Sequence, residues 1–387
     1  MVNRGSFAIC TLDSVADFRN GKSLSPSKYS PDGQYPVYGS NGQIARTNEL
    51  LNASPVVVIG RVGAFCGSVY FVKEPSWVTD NAIVATAKPG IDVHFLYFLL
   101  KSLGLNQTAI GSAQPLMTQG GLKVVTTKIP PLSEQRAIAH ILGTLDDKIE
   151  LNRRMNQTLE AMAQALFKSW FVDFEPFRDQ GMQDSPLGEI PMGWEIGTLG
   201  QICEVKMGQS PPGDTYNEIG EGIPFYQGIK DFGSRFPHHR VYCTMPTRFA
   251  EPYDVLLSVR APVGRLNVAN ERCAIGRGLA ALCSKVRHHS YLYYLLNNAK
   301  NRWETFNSEG TVFGCITRKD IMDVTVIIPP KTIVDRFESL VNTSDNLIAL
   351  NEQESFTLST IRDTLLPKLL SGEIRVKDAE RFVEKAL

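Results

Sequence analysis

Two short turns hold the side chains best suited to chemistry on a polyanion. Gly60-Arg61-Val62-Gly63 follows the apolar run Pro55-Val56-Val57-Val58-Ile59, and Val259-Arg260-Ala261-Pro262-Val263-Gly264-Arg265 follows Asp254-Val255-Leu256-Leu257-Ser258. Each turn joins exposed backbone amides to a guanidinium, which suits a phosphate or the acceptor edge of guanine. An ordinary hairpin turn explains either one alone equally well, so neighbouring polar residues must carry weight. Lys22, Tyr38, Ser40, Asn41, Arg61 and Gln114 are the candidate contacts in the first part of the chain. Tyr226, Lys230, Arg235, Arg240, Arg260, Arg265 and Arg277 are those in the second.

Motifs for catalysis do not emerge. Gly21-Lys22-Ser23 imitates the end of a phosphate-binding loop, but Ala16 stands where the first glycine is required. Pro211-Pro212 follows Ser210, so it lacks the asparagine of an adenine-methylating tetrapeptide. Seven cysteines occur without a Cys-x-x-Cys pair, and the histidine pairs His238-His239 and His288-His289 would point to opposite sides of a strand. Reduced thiols, no metal and no catalytic residue are the expectation. The chain reads as one that positions other things.

What positions these turns is a unit present twice. Ile129-Pro130-Pro131 begins a long helical pattern through Asn152 and Leu166, and Ile328-Pro329-Pro330 begins another through Asn351 and Leu365, all offset by 199 residues. Upstream the offset drifts, from 187 at Gly21 and Gly208 to 196 at the aromatic runs beginning Phe95 and Tyr291. Each half is therefore a mixed α and β module followed by a helix, and a period this long means whole domains. The 387 residues suffice for two cores, with no apolar run long enough to span a bilayer. Met1 to Cys10 lacks the basic start and apolar block of a secretory leader.

The helices read as heptads. Ile138, Leu145, Asn152, Leu159 and Leu166 take position a, with Ile141, Met155 and Met162 at d; in the second helix Phe337, Ser344, Asn351, Leu358 and Leu365 take a, with Leu340, Leu347 and Ile361 at d. Ser133 and Thr332 are the expected caps, and the ends are expected near Phe171 and at Leu366, before Pro367. An antiparallel pairing would bring Asn152 and Asn351 face to face, where buried amides pin register. Phe167, Trp170 and Phe171 form an aromatic end, either core or a surface for a partner.

Charge gives a mixed signal. Forty basic residues balance forty acidic ones, which counts mildly against nucleic acid. Cations nevertheless gather in the second module, at Lys230, Arg235, Arg240, Arg248, Arg260, Arg265, Arg272 and Arg277, while acids crowd the helices. A solvated face accounts for such a cluster as readily as a DNA-binding one.

Taken together, the motifs resemble those of the specificity subunit of a type I restriction-modification system. The resemblance rests on Tyr38-Gly39-Ser40-Asn41-Gly42, Ile129-Pro130-Pro131-Leu132-Ser133-Glu134-Gln135-Arg136, Leu187-Gly188-Glu189-Ile190-Pro191-Met192-Gly193-Trp194, and Leu365-Leu366-Pro367-Lys368-Leu369-Leu370-Ser371-Gly372-Glu373-Ile374. It covers essentially the whole chain. Two departures stand out: the first module lacks the Pro-x-Gly-Trp opening, and Thr332-Ile333-Val334-Asp335 replaces Ser-Glu-Gln in the second copy.

The resemblance implies an α+β protein with two repeated mixed α/β target-recognition domains, separated by two long antiparallel coiled-coil helices with pseudo-two-fold internal symmetry. Its parts would be recognition domain 1 (1–128), the first spacer helix (129–177), recognition domain 2 (178–327), and the second spacer helix with its tail (328–387). It further implies a cytoplasmic, non-catalytic DNA-binding subunit reading a bipartite double-stranded target. Methylation subunits and restriction subunits would be its partners, with Phe167, Trp170 and Phe171 available for docking. S-adenosylmethionine, ATP and Mg would sit on those subunits, with no cofactor on this chain. A fused enzyme with its own catalytic domain and a coiled-coil adaptor that binds only proteins are the competing readings.

Overall fold

Runs of β-branched residues bounded by glycines and turns build the centre of each module, because their stiff side chains favour a pleated, packed surface. The computed structural model describes residues 7–53, 55–111, 115–308, 314–379 and 381. Compactness divides the chain into unit 1, Met1–Glu150 with Ser355–Leu387, and unit 2, Leu151–Glu354. Both long helices, Leu132–Phe171 and Lys331–Ser371, are thus shared between units.

In unit 1 an antiparallel sheet runs Ala16–Asn20, Ala82–Ala87, Val56–Gly60, Val69–Val72. A three-stranded sheet has Tyr35–Gly39 parallel to Trp77–Val78, with Tyr38 opposite Val78. Unit 2 repeats the order with Cys203–Met207, Leu279–Ser284, Val255–Ser258, Leu266–Val268. Its second sheet has Ile223–Tyr226 parallel to Cys273–Ile275, with Tyr226 opposite Ile275. Each module closes on an antiparallel ribbon, Ala8–Thr11 with Thr126–Ile129 and Glu195–Thr198 with Thr325–Ile328. The paired prolines then end the strand, and the long helices begin at Leu132 and Lys331. Ser133 and Thr332 therefore lie inside the first turn and are not the expected caps.

The two units cap their equivalent helices differently. Asp92 caps Val93–Ser102 by accepting from the amides of His94 and Phe95, at 3.0 and 2.9 Å. Glu338 of the second long helix does this work for His289–Asn298, accepting from Ser290 and Tyr291 at 3.0 Å each. In both cases a carboxylate meets orphan amides at the positive end of a helix, a contact worth about 1 kcal/mol.

Long-helix residues line both cores. In unit 1 Ile138, Leu142, Leu145, Leu358, Ile361 and Leu365 pack with Phe95, Leu96 and Phe98. In unit 2 Phe167, Trp170, Phe171 and Phe337 pack with Phe174, Phe177, Trp194 and Tyr291. Pairing is antiparallel within each unit, shown in unit 1 by Asp146 with Arg362 at 2.5 Å and continued by Glu134 with Arg375, just past the second helix, at 2.7 Å. In unit 2, Asn351 Nδ2 donates to Asn156 Oδ1 at 2.8 Å, and Asn152 Nδ2 donates to the Glu354 carboxylate at 2.7 Å and to the Asn351 carbonyl at 3.4 Å. The asparagines do meet, by the Asn152 amide on the Asn351 carbonyl and through Asn156.

Two helix expectations need correcting. Met162, Leu340 and Leu347, assigned to the seam, are 63%, 52% and 36% exposed. Burial follows Ala163, Phe167 and Trp170 on one helix and, around the expected Phe337, Val334, Val341 and Ile348 on the other. A straight helix drifts against a strict seven-residue repeat, and here the module's own core claims the rotated face. Pro367 lies inside the second helix, which continues to Ser371. Leu365, Leu366, Leu369 and Leu370 are all buried around it, and that packing offsets the lost hydrogen bond.

Candidate nucleic-acid interface

At one edge of each module the strand ends are tied by the same set of main-chain hydrogen bonds. In unit 1, Thr79 donates to the Tyr38 carbonyl, Gly21 to Ala82, Lys22 to Val78, Arg61 to Asn81, and Met117 to Arg61, at 2.8 to 3.0 Å. In unit 2, Gly276 donates to Tyr226, Gly208 to Leu279, Gln209 to Ile275, Val259 to Gly278, and Ile316 to Val259, over the same 2.8 to 3.0 Å. Small residues permit the close approach. A Cβ on Gly21 would sit 2.2 Å from the Thr79 carbonyl oxygen, and one on Gly208 would sit 2.1 Å from that of Gly276.

This shared frame fixes which residues are equivalent. Lys22 corresponds to Gln209, Arg61 to Val259, Val62 to Arg260, and Asp80 to Arg277. Arg61 and Arg260 are thus one position out of step, although both sit in glycine-containing turns. Serines hold the turns from different places. Ser40 Oγ accepts from the amides of Arg61 and Val62 at 3.2 and 3.1 Å and donates to the Asn81 carbonyl. Ser258 Oγ accepts from Arg265 at 2.9 Å and donates to the Pro262 carbonyl at 2.8 Å. Arg61 also reaches the Asp80 carbonyl at 3.0 Å.

The rim gathers many of the expected contacts and leaves others out. Lys22, Asn41, Lys230, Arg260, Arg265 and Arg277 are exposed on or beside the frame, with Ser40 and Arg61 half-buried. Tyr38 is half-buried too, its phenol raised chiefly by burial and next by Glu74. Among the described residues no ion pair engages Lys230, Arg248, Arg260, Arg265 or Arg277, whereas Arg240 is held by Asp231 at 2.8 Å. Gln114 lies outside the described residues.

Five assignments are overturned by burial. Arg235 is 3% exposed and bonds Glu160 at 3.2 Å and Asp345 at 2.7 Å, with its guanidinium 3.5 Å from the Tyr293 ring centre. It is an internal anchor and no DNA contact. Tyr226 is 0% exposed, so its ring is core. Phe167, Trp170 and Phe171, taken as a docking surface, are buried in the unit 2 core and meet the Phe337 ring edge-on or tilted at 5.8, 6.3 and 5.2 Å. Cationic or aromatic type alone does not reveal burial. The acids Glu160 and Asp345 on the helices were the available hint for Arg235.

Residues that the sequence did not single out are Asp80, Ser210 and Asp231. Ser210 Oγ meets the Arg277 guanidinium at 3.3 Å, and buried Asp231 accepts from the Gln227 amide at 2.7 Å beside Lys230. Among the described residues no group of three or more His, Cys, Asp or Glu could hold a metal ion. None of their helices is long and apolar enough to cross a membrane.

A twice-occurring mixed module with an amide-tied rim, feeding two long helices, defines a class that comparison with known proteins identifies. The family described as Type I restriction modification DNA specificity domain matches residues 6–161 and 191–355, one stretch per repeat, and the chain belongs to it. The chain is 32% identical over 339 residues to the MjaX specificity subunit of Methanocaldococcus jannaschii, covering 82% of this chain and 76% of that protein. It is 29% identical to the type I restriction enzyme MjaIX specificity subunit of the same organism, covering 81% and 76%. The crystal structure of the type I restriction-modification system S subunit from M. genitalium shares the fold, with a TM-score of 0.62 and 20% identity over 96% of this chain and 98% of that one.

Proposed function

We propose that this specificity subunit reads a bipartite double-stranded DNA target, one half through each module's rim, and is itself non-catalytic. The observation that carries this reading is the recurrence of one hydrogen-bonded frame bearing different side chains. A common backbone with exchanged Lys, Arg, Asp and Gln is what two related readers of unlike sequences require, since base edges are distinguished by donor and acceptor patterns. Lys230, Arg248, Arg260, Arg265 and Arg277 of unit 2, which make no ion pair among the described residues, supply phosphate contacts, and partner subunits supply the rest, consistent with a net charge of zero.

Methylation subunits dock on the long helices and carry S-adenosylmethionine; restriction subunits join them and use ATP and Mg. In unit 2 the docking face is apolar and exposed: Leu340, Leu347 and Leu350 on the second helix, Leu151 and Met162 on the first. The assembly works in the cytoplasm, where its DNA is.

The test is selection from a randomised DNA pool by the complex with methylation subunits, followed by methylation mapping. A split motif is expected, with the isolated chain inert toward S-adenosylmethionine. Exchanging residues 1–128 for those of another family member should change one half only. A contiguous motif, or changes in both halves, would refute the reading; enrichment of nothing at any salt concentration would favour a protein-only adaptor.

A further inference from the structure

The frame places a carboxylate where its twin has a guanidinium. Asp80 follows Thr79, whose amide donates to the Tyr38 carbonyl, and precedes Asn81, whose carbonyl accepts from Arg61. Arg277 follows Gly276, whose amide donates to Tyr226, and precedes Gly278, whose carbonyl accepts from Val259. The two side chains therefore leave equivalent points of equivalent rims with opposite charge. Both are exposed. The Asp80 carboxylate has no ion pair among the described residues; the neighbouring Arg61 guanidinium bonds the main-chain carbonyl of Asp80 instead.

A bare carboxylate on a surface that approaches phosphates is repelled unless a donor meets it. In the major groove the donors are the exocyclic amino groups, N4 of cytosine and N6 of adenine, and an ionised carboxylate only accepts. A guanidinium at the same point suits the opposite pattern, guanine's paired acceptors or a phosphate. We propose that Asp80 reads an exocyclic base amino group in the first half-site, at the position where the second module presents Arg277. This rests on the reading above, that each rim faces one half of the target.

Asp80→Asn retains the main-chain carbonyl that holds Arg61 and puts a neutral amide in place of the charge. In the complex with methylation subunits, selection from random DNA should then lose its preference at one position of the first half-site while still selecting the second half unchanged. That retained half reports a folded, assembled chain. Affinity for the wild-type target should fall roughly five- to 150-fold, the span of one good base contact, with affinity for DNA scrambled in the first half unchanged. Arg277→Ala runs alongside and should lose a position in the other half or weaken all sequences together.

Recovery of the full wild-type motif by Asp80→Asn would overturn the assignment and leave the two-module reading standing. So would tighter binding to every sequence, which would show that Asp80 only repels phosphates. If the wild-type complex selects no split motif, the underlying reading fails, and the assignment of Asp80 fails with it.

Discussion

Unit 1 lays the ring of His94 against Gly143 of the first long helix, whereas unit 2 sets the guanidinium of Arg235 between Glu160 of one helix and Asp345 of the other. The first seat is a matter of shape. His94 stacks on Phe71 at 4.5 Å and Phe98 at 5.0 Å, and a Cβ on Gly143 would meet its ring at 2.4 Å. The ion pair beside it, Lys73 with Asp147 of the helix, is exposed on both sides and worth about 0 to 1 kcal/mol. The second seat is a matter of charge: Tyr293 and Tyr294 donate to Glu160 and Asp345 at 2.9 and 3.2 Å, and Glu352 accepts from the Arg235 amide at 3.1 Å. Modules on one repeated scaffold can thus be fixed by unrelated means, because only geometry has to be kept.

Removing the charge should give the largest effect. Arg235→Ala leaves the half-buried Glu160 and Asp345 carboxylates unpaired and empties the buried seat of the guanidinium, and we expect a loss of about 3 kcal/mol in unit 2, read by hydrogen exchange over its strands with unit 1 unaffected. Equal loosening of both units would mean that Arg235 is no local anchor. Gly143→Leu should follow, displacing His94 and costing unit 1 about 1 to 3 kcal/mol; unaltered protection around Phe95 and Phe98 would show that the ring has room to move.

Acid should separate the seats more gently. Burial holds His94 and His289 below the ordinary imidazole value of 6.5. Their neutral folded forms bind fewer protons than the unfolded chain, so both units lose stability as pH falls below 6.5. Glu352 works the other way: burial lifts its carboxyl from 4.5 to about 6, against the amide bonds from Arg235 and Phe236. The folded state then takes up the extra proton, so its contribution of ~2 kcal/mol is full below 4.5 and lost as pH rises through 6. Between 6.5 and 4.5 unit 1 should weaken more steeply than unit 2, and Glu352→Gln should abolish the contrast. Parallel pH profiles for the two units in the unmodified chain would remove Glu352 from the account. The smallest effect on stability, within about 0.5 kcal/mol, belongs to Leu340→Glu with Leu350→Glu, which should instead abolish co-purification with methylation subunits.

The repeat was legible where no residue had been inserted. A constant offset of 199 through both long helices reveals them from residue order alone, and short continuous apolar runs reveal strands of the modules before them. The rim was legible only in part. Gly67 and Gly264 donate to the carbonyls of Gly60 and Ser258, so the turn is one residue shorter in unit 2, and matching arginine to arginine pairs Arg61 with the wrong partner. Asp80 was passed over because a search for cations ignores acids. Arg235, Tyr226 and the Phe167–Phe171 aromatics were misplaced for a common reason: residue type says what a side chain can bond, while burial depends on contacts far away in sequence.

The sharing of each long helix between the units has a consequence for how the chain is made. Unit 2 is one uninterrupted stretch, Leu151–Glu354, whereas unit 1 needs residues beyond 354, among them Leu358, Ile361, Leu365 and Leu369 of its core. On the ribosome the second module is therefore the first to have all its parts. The first module, though synthesised earlier, keeps the part of its core that Leu358, Ile361, Leu365 and Leu369 cover open to water until the closing segment returns across more than 200 residues. The order of synthesis and the order of completion run opposite ways along this polypeptide.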